Sequence, residues 1–125
     1  MSFVHLDVRS AFSLKDGAFL PEDLARRAAE LDMPAVALTD RDGLYGAARF
    51  VDACASVGVR PILGATLTLA DGGAVVLLAR DDRGYANLCG LVSDAHLLGE
   101  RRAPSVDVVQ VLARAAGLTC LLGPA

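Results

Sequence analysis

The chain has 125 residues, with 12 basic and 15 acidic side chains and a net charge of −3 at pH 7. This mild acidity argues against a free-standing nucleic-acid clamp, which usually carries a basic excess. The hydrophobic fraction of 54% excludes a disordered chain, because so apolar a sequence must bury much of itself. No apolar run approaches the ~20 residues of a membrane span, and residues 1–5 lack secretory-signal features. We therefore expect one cytoplasmic globular domain over residues 1–125.

Strand-like and helix-like segments alternate in the first half of the chain. Phe3–Val8 predicts a first strand, and a helix over Pro21–Leu31 is opened by its proline. The apolar run Ala35–Leu38 is typical of a buried parallel strand. A second helix is predicted over Tyr45–Ser56, and Gly58 is suited to end it.

The second half adds a hairpin, two helices and a last strand. Asp71-Gly72-Gly73 is a strong hairpin signal between the third and fourth strands. The predicted strands are Arg60–Leu69, Ala74–Arg80 and Leu118–Leu122, and the predicted helices are Tyr85–Leu98 and Val106–Ala116. Such a series predicts an α/β fold with mostly parallel strands and one inserted β-hairpin.

Two further sets of apolar side chains are expected in the core. One is a helical stripe, which core packing explains without a partner; it consists of Val108, Val109, Leu112 and Ala116. The other is a set of three cysteines without a CxxC pair, expected to be buried reduced thiols; these are Cys54, Cys89 and Cys120.

Polar side chains collect where three predicted strands end. Ligands of parallel α/β folds gather outside the carboxyl ends of the strands, so these residues are the candidates for chemistry. They are His5, Asp7, Arg9, Ser10 and Asp16 at the first strand end, Asp40, Arg41 and Asp42 at the second, and Thr66 at the third. His5 and His96 are expected to be structural, since a lone histidine is more often a hydrogen-bonded packing residue than a ligand.

Several segments resemble one known family. Residues 5–18 (HLDVRSAFSLKDGA), 37–47 (ALTDRDGLYGA) and 59–65 (VRPILGA) resemble the opening motifs of the polymerase and histidinol phosphatase (PHP) domain. More narrowly, they are similar to the start of DnaE-type alpha subunits of bacterial DNA polymerase III, and 38–47 favours the error-prone branch. The resemblance implies a distorted (β/α)7 barrel, of which this chain forms the N-terminal part or a truncated relative.

The family's metal ligands are replaced at four positions of this chain. Metal-binding members, which hold zinc or manganese, carry histidine at the positions of Asp7, Arg9 and Arg41, and glutamate at that of Thr66, while Asp16 and Asp40 match the family. Arginine has no lone pair for a metal. The resemblance therefore implies a vestigial site, with no metal, cofactor or catalytic residue expected in this chain.

The charges at these positions lead to a further expectation about stability. Clustered carboxylates without a metal need another positive partner, and Arg9 and Arg41 could pair with them. Removing one partner of a buried ion pair costs about 3–5 kcal/mol, so Arg41→Ala is expected to lower thermal stability clearly.

Three functions follow from these expectations. The leading one is a non-catalytic, structural or partner-docking segment of a DnaE-like polymerase in DNA replication or repair. Its partners would be other polymerase domains or replication and repair subunits, with DNA met only through the polymerase. The alternatives are a stand-alone metal-dependent PHP phosphoesterase and a truncated relative that serves as a binding protein. Self-association through the unfinished barrel surface is also expected.

Overall fold

Four helices and four strands lie in the part of the chain that the computed structural model describes, residues 20–98 and 104–121. The helices are α1 Pro21–Glu30, α2 Ala47–Val57, α3 Asp82–Leu98 and α4 Val108–Ala113. The strands are β1 Ala35–Arg41, β2 Arg60–Thr68, β3 Ala74–Ala79 and β4 Leu118–Leu121. The predicted first strand, Phe3–Val8, lies outside the described residues.

Local sequence signals explain several of these boundaries. Pro21 is the first residue of α1, and Glu22 and Asp23 follow in the first turn, where the helix dipole favours acidic side chains. Gly58 ends α2 in the left-handed conformation with φ 75°. Gly72 has φ 98° in the turn between β2 and β3. The predicted helix start, helix end and hairpin are confirmed at these positions.

The four described strands form one sheet in chain order, β1-β2-β3-β4. β1 and β2 pair in parallel, whereas β3 is antiparallel to both of its neighbours. Three of the four strands therefore run in the same direction, and the β2–β3 hairpin inserts the reversed one. The predicted α/β fold with mostly parallel strands and an inserted hairpin is confirmed, and the described strands do not close into a barrel.

Two apolar clusters pack on one face of this sheet, since side chains that alternate along neighbouring strands share a face. The first joins α1 and α2 to β1 and includes Val36, Phe50 and Cys54, all fully buried. The second joins α3 to β2 and β3 and includes Leu67 and Leu91, also fully buried. Within residues 20–98 and 104–121, every helix is too short or too polar to traverse a lipid bilayer.

Two expectations about the core are wrong. The α4 stripe is exposed, with 53% of Val108, 75% of Val109 and 69% of Leu112 accessible. The helix is only six residues long and packs through Val111 instead, so these three side chains keep more than half of their surface in water. Cys120 is also exposed, because β4 lies at the border of the described sheet, whereas Cys54 is buried and Cys89 is half-buried.

Candidate functional site

The carboxyl ends of β1 and β2 bring two predicted site residues together. The parallel register pairs Asp40 with Ala65 and Arg41 with Thr66. Arg41 and Thr66 are therefore neighbours at one edge of the sheet, as the motif spacing predicts. The candidates of the first strand end lie outside the described residues; they are His5, Asp7, Arg9, Ser10 and Asp16.

The residues at these two strand ends differ in how far their side chains are buried. Asp40 and Thr66 are only 2% and 1% exposed, whereas Arg41 is exposed. The Thr66 hydroxyl donates a hydrogen bond to the carbonyl oxygen of Thr39 at 3.0 Å. The pocket that Asp40 shares with Leu38 is too tight to admit a water molecule. The described part of this edge is thus closely packed rather than open.

The next residue, Asp42, ties this edge together. Its carboxylate accepts hydrogen bonds from the backbone N–H of Thr68 at 2.9 Å and from the Thr68 hydroxyl at 2.8 Å. Its own N–H donates to the carbonyl oxygen of Thr66 at 2.7 Å. Asp42 has φ 51°, a left-handed conformation that aspartate tolerates better than most residues with a side chain. These hydrogen bonds of Asp42 therefore hold the turn after β1 against the end of β2.

His96 fixes the same turn from the helix side. Its Nε2 lies 2.6 Å from the carbonyl oxygen of Asp42, and a carbonyl oxygen only accepts, so Nε2 carries the proton in this contact. The two residues are 54 positions apart in the chain. The sequence places His96 on a helix face but carries no signal for its partner, because this contact depends on how α3 crosses the sheet.

An exposed aromatic ring stands beside these strand ends. Tyr45 is 68% exposed, and its ring lies over Gly43, where an added Cβ would come within 2.5 Å of Tyr45 Cε2. Gly43 therefore provides the space in which the ring rests. Tyr45 is not predicted as a site residue from the sequence, since a tyrosine at a predicted helix start is equally consistent with a packing role.

Titratable groups in the described ranges do not converge into a metal-binding cluster. Across residues 20–98 and 104–121, no three or more histidine, cysteine, aspartate or glutamate side chains are grouped so that they could hold a metal ion. Asp40 and Asp42 flank Arg41 along the chain, which places one cation between two carboxylates in sequence.

The PHP domain family model matches residues 5–125, nearly the whole chain. The chain belongs to the PHP domain family. Error-prone DNA polymerase of Symbiobacterium thermophilum is 50% identical over 103 residues, which are 82% of this PHP chain and 10% of that protein. DNA polymerase III subunit alpha of Treponema pallidum is 36% identical over 135 residues, covering 97% of this chain and 12% of that protein. The predicted resemblance to DnaE-type polymerases is confirmed.

Solved structures agree on the fold. An amidohydrolase from Chromobacterium violaceum, with bound sulfate and no metal, superposes with a TM-score of 0.54 at 26% identity. The match covers 73% of this PHP chain and 34% of that one. A structure from Bifidobacterium adolescentis gives a TM-score of 0.53 at 19% identity over 90% of this chain and 43% of its own. This PHP chain therefore spans about a tenth of its polymerase relatives and less than half of these structures.

The placement of Arg41 corrects one sequence-based expectation. A cost of about 3–5 kcal/mol applies to removing a partner from a buried ion pair. Arg41 is exposed in this PHP chain, and an exposed charge in contact with water contributes much less, about 1 kcal/mol or below. The large loss of stability expected for Arg41→Ala therefore does not apply.

Proposed function

We propose that this PHP chain is a non-catalytic segment of a DnaE-like polymerase that acts in DNA replication or repair. It serves structure and docking, and it corresponds to the N-terminal part of a larger PHP domain. Its partners are other polymerase domains or replication and repair subunits, and it contacts DNA only indirectly, through them. It resides in the cytoplasm. Support comes from the strand ends and from the relatives that share their sequence.

The observation that carries the proposal is the pair Arg41 and Thr66 at the meeting point of β1 and β2. Zinc and manganese sites use imidazole and carboxylate ligands. A guanidinium brings positive charge and no lone pair, so it opposes a cation. The Thr66 hydroxyl is weakly basic and already donates to Thr39. These described residues do not fit the family's metal ions, and no step through a metal is derived for this chain.

The described carboxylates support the same proposal. Both Asp42 oxygens accept hydrogen bonds from Thr68, and the Asp40 side chain is buried in close-packed surroundings. A metal ligand must instead offer its lone pairs to an ion that can enter and leave. The Asp42 carboxylate is thus used for holding the turn after β1 against β2.

Metal content and phosphate release test the loss of the metal site. Purified chain is incubated with Zn²⁺ or Mn²⁺, dialysed, measured by mass spectrometry for bound metal, and assayed on p-nitrophenyl phosphate. We expect far less than one ion per chain and no release above buffer. Stoichiometric metal together with phosphate release would overturn the proposal and favour the stand-alone phosphoesterase.

Two variants make this experiment sharper. A restored chain carries Asp7→His, Arg9→His, Arg41→His and Thr66→Glu, which returns the family's ligand types and is expected to gain metal. The matched control carries Arg60→His and Thr119→Glu, which introduce two of the same residue types at positions away from this edge. Metal binding gained by the restored chain but not by the control would assign the lost metal site to these four positions. Equal metal binding by both chains would contradict that assignment.

Docking to polymerase is tested directly with a relative of known sequence. Error-prone DNA polymerase of Symbiobacterium thermophilum is prepared without the region that this chain matches. We expect the added chain to bind it in a biosensor measurement, because the two regions are 50% identical. Binding no stronger than that of an unrelated domain would argue against the docking role.

A further inference from the structure

We propose that this chain binds a nucleoside monophosphate in a cleft within its sheet, the β2/β3 cleft. The cleft lies where β2 and β3 separate beside the start of α3, and Arg60 and Arg80 line it. It is at the opposite end of β2 from Thr66 and the candidate functional site. The inference rests on the geometry and chemistry of the cleft and does not depend on the proposed function.

Two strands of the described sheet separate to form this cleft. β2 and β3 pair from their hairpin as far as Gly64 and Leu78. Beyond this point, residues 60–63 of β2 pair with β1, and Ala79 of β3 pairs with β4. The Leu78 side chain lies over Gly64, where an added Cβ would come within 2.7 Å of it. The cleft is therefore bounded by described strands on both sides and does not depend on an outer strand of the sheet.

The start of α3 forms one wall of the cleft and is held in place by backbone contacts. The Gly84 N–H donates a hydrogen bond to Asp81 Oδ1 at 2.7 Å. The Arg80 N–H donates to the carbonyl oxygen of Gly117 at 2.8 Å. Gly84 and Gly117 pack so closely that a side chain on either residue would collide with the other. These contacts fix the backbone of Arg80 and the first turn of α3, so this wall does not have to be ordered by a ligand.

Two guanidinium groups in the cleft have no carboxylate partner within residues 20–98 and 104–121. Arg60 and Arg80 are exposed, line the same cavity and take part in none of the ion pairs of this part of the chain. Other arginines do pair with a carboxylate; they are Arg26, Arg27, Arg49 and Arg114. Guanidinium groups bind phosphate oxygens through two parallel hydrogen bonds. The two arginines of the cleft therefore favour a phosphate group as part of the ligand.

The size and walls of the cleft suit a molecule larger than phosphate alone. The volume of the cleft is about 520 Å³, and small-molecule sites in proteins measure roughly 300–1,000 Å³. Ile62, Leu78 and the half-buried Tyr85 line it beside the two arginines. Apolar side chains and an aromatic ring offer contact area to a flat organic ring. A ligand with a phosphate at one end and a nucleobase at the other can use both kinds of contact.

The acidic residues of the cleft narrow the choice of ligand further. Asp81 and Asp82 also line it, so the lining carries both signs of charge. Asp81 already accepts a hydrogen bond from the first turn of α3, and the helix dipole favours the charge of Asp82 in that turn. Carboxylates accept hydrogen bonds from hydroxyl groups, such as those of a ribose. They repel additional negative charge, which favours a nucleoside monophosphate over a polyphosphate.

Isothermal titration calorimetry of the purified chain at low salt tests this binding. We expect adenosine monophosphate to bind saturably. Adenosine and inorganic phosphate, titrated separately, should each bind at least about 10-fold more weakly, because each lacks part of the contacts that the nucleotide makes. Absence of saturable binding by adenosine monophosphate would overturn the proposal. Inorganic phosphate that binds as tightly as the nucleotide would overturn the assignment of a nucleoside to the cleft.

Substitutions of exposed arginines locate the binding. Arg60→Gln and Arg80→Gln should each weaken adenosine monophosphate binding by about 10-fold, because each removes charged hydrogen bonds to the phosphate. Arg83→Gln is the matched control: it removes the same charge from an exposed position on α3 that does not line the cleft, and should leave the affinity unchanged. Circular dichroism verifies that each variant is folded. Unchanged affinity in both cleft variants, or equal weakening by Arg83→Gln, would contradict the assignment of the ligand to this cleft.

Discussion

Helices cover the two ends of the described sheet to different extents. At the β1 end, α1 and α2 cover the sheet together, and Phe50 and Cys54 have no accessible surface. At the β4 end, the long α3 covers β2 and β3, but α4 is six residues long and leaves a groove. One face of one sheet therefore carries both a buried cluster and an open apolar surface, and the open surface lies under the shorter helix.

The largest expected effect is a difference in the free energy of unfolding between substitutions at the two ends of the described sheet. Phe50→Ala should lower the free energy of unfolding by about 3–5 kcal/mol, because it empties a fully buried position. Leu112→Ala should change it by no more than about 0.5 kcal/mol in dilute solution, since that side chain is already in water. Urea unfolding of both variants measures the difference. Similar losses would mean that α4 is packed as tightly as α2.

A smaller effect on stability is expected for substitutions at Asp42, in the turn after β1. Asp42→Ala should cost about 3 kcal/mol, because it removes charged hydrogen bonds to Thr68 and puts alanine at a positive φ. Asp42→Asn keeps an acceptor oxygen and a residue that tolerates this φ, so it should cost about 1 kcal/mol. Thermal unfolding compares the two variants. Equal stability of Asp42→Ala and the parent would show that this tie contributes little.

The smallest expected effect is on thiol chemistry. Burial raises the pKa of Cys54 from 9.0 to about 11, so its thiol stays protonated in the folded chain. The free energy of unfolding is therefore unaffected by this thiol below its unfolded-state pKa of 9.0. It falls as the pH rises from 9.0 to about 11, because the unfolded chain loses the Cys54 proton more readily. At about pH 8, a thiol reagent should modify exposed Cys120 first and Cys54 only after unfolding. Mass spectrometry of digested protein assigns the order, and early labelling of Cys54 would contradict it.

Sequence predicted the fold where local signals are strong. Pro21, Gly58 and Gly72 each impose a backbone conformation, and the elements they bound lie within a few residues of prediction. The spacing of the strand ends likewise predicted that Arg41 and Thr66 would meet.

The remainder depends on contacts that no local pattern encodes. The stripe containing Leu112 is apolar and periodic, but periodicity identifies a face without identifying what covers it. The contact of His96 with Asp42 spans 54 residues and depends on the crossing of α3 over the sheet.

Strand order has a consequence for how the molecule is made. The described strands lie in the sheet in the order in which they are synthesised, β1-β2-β3-β4. Each of these four described strands can therefore add to an edge that already exists, and none of the four has to insert between two others. β2 and β3 are joined by a short hairpin, which closes quickly, whereas β4 must wait for α3 and α4. We expect the β1–β3 part to form first during synthesis, with β4 adding to it afterwards.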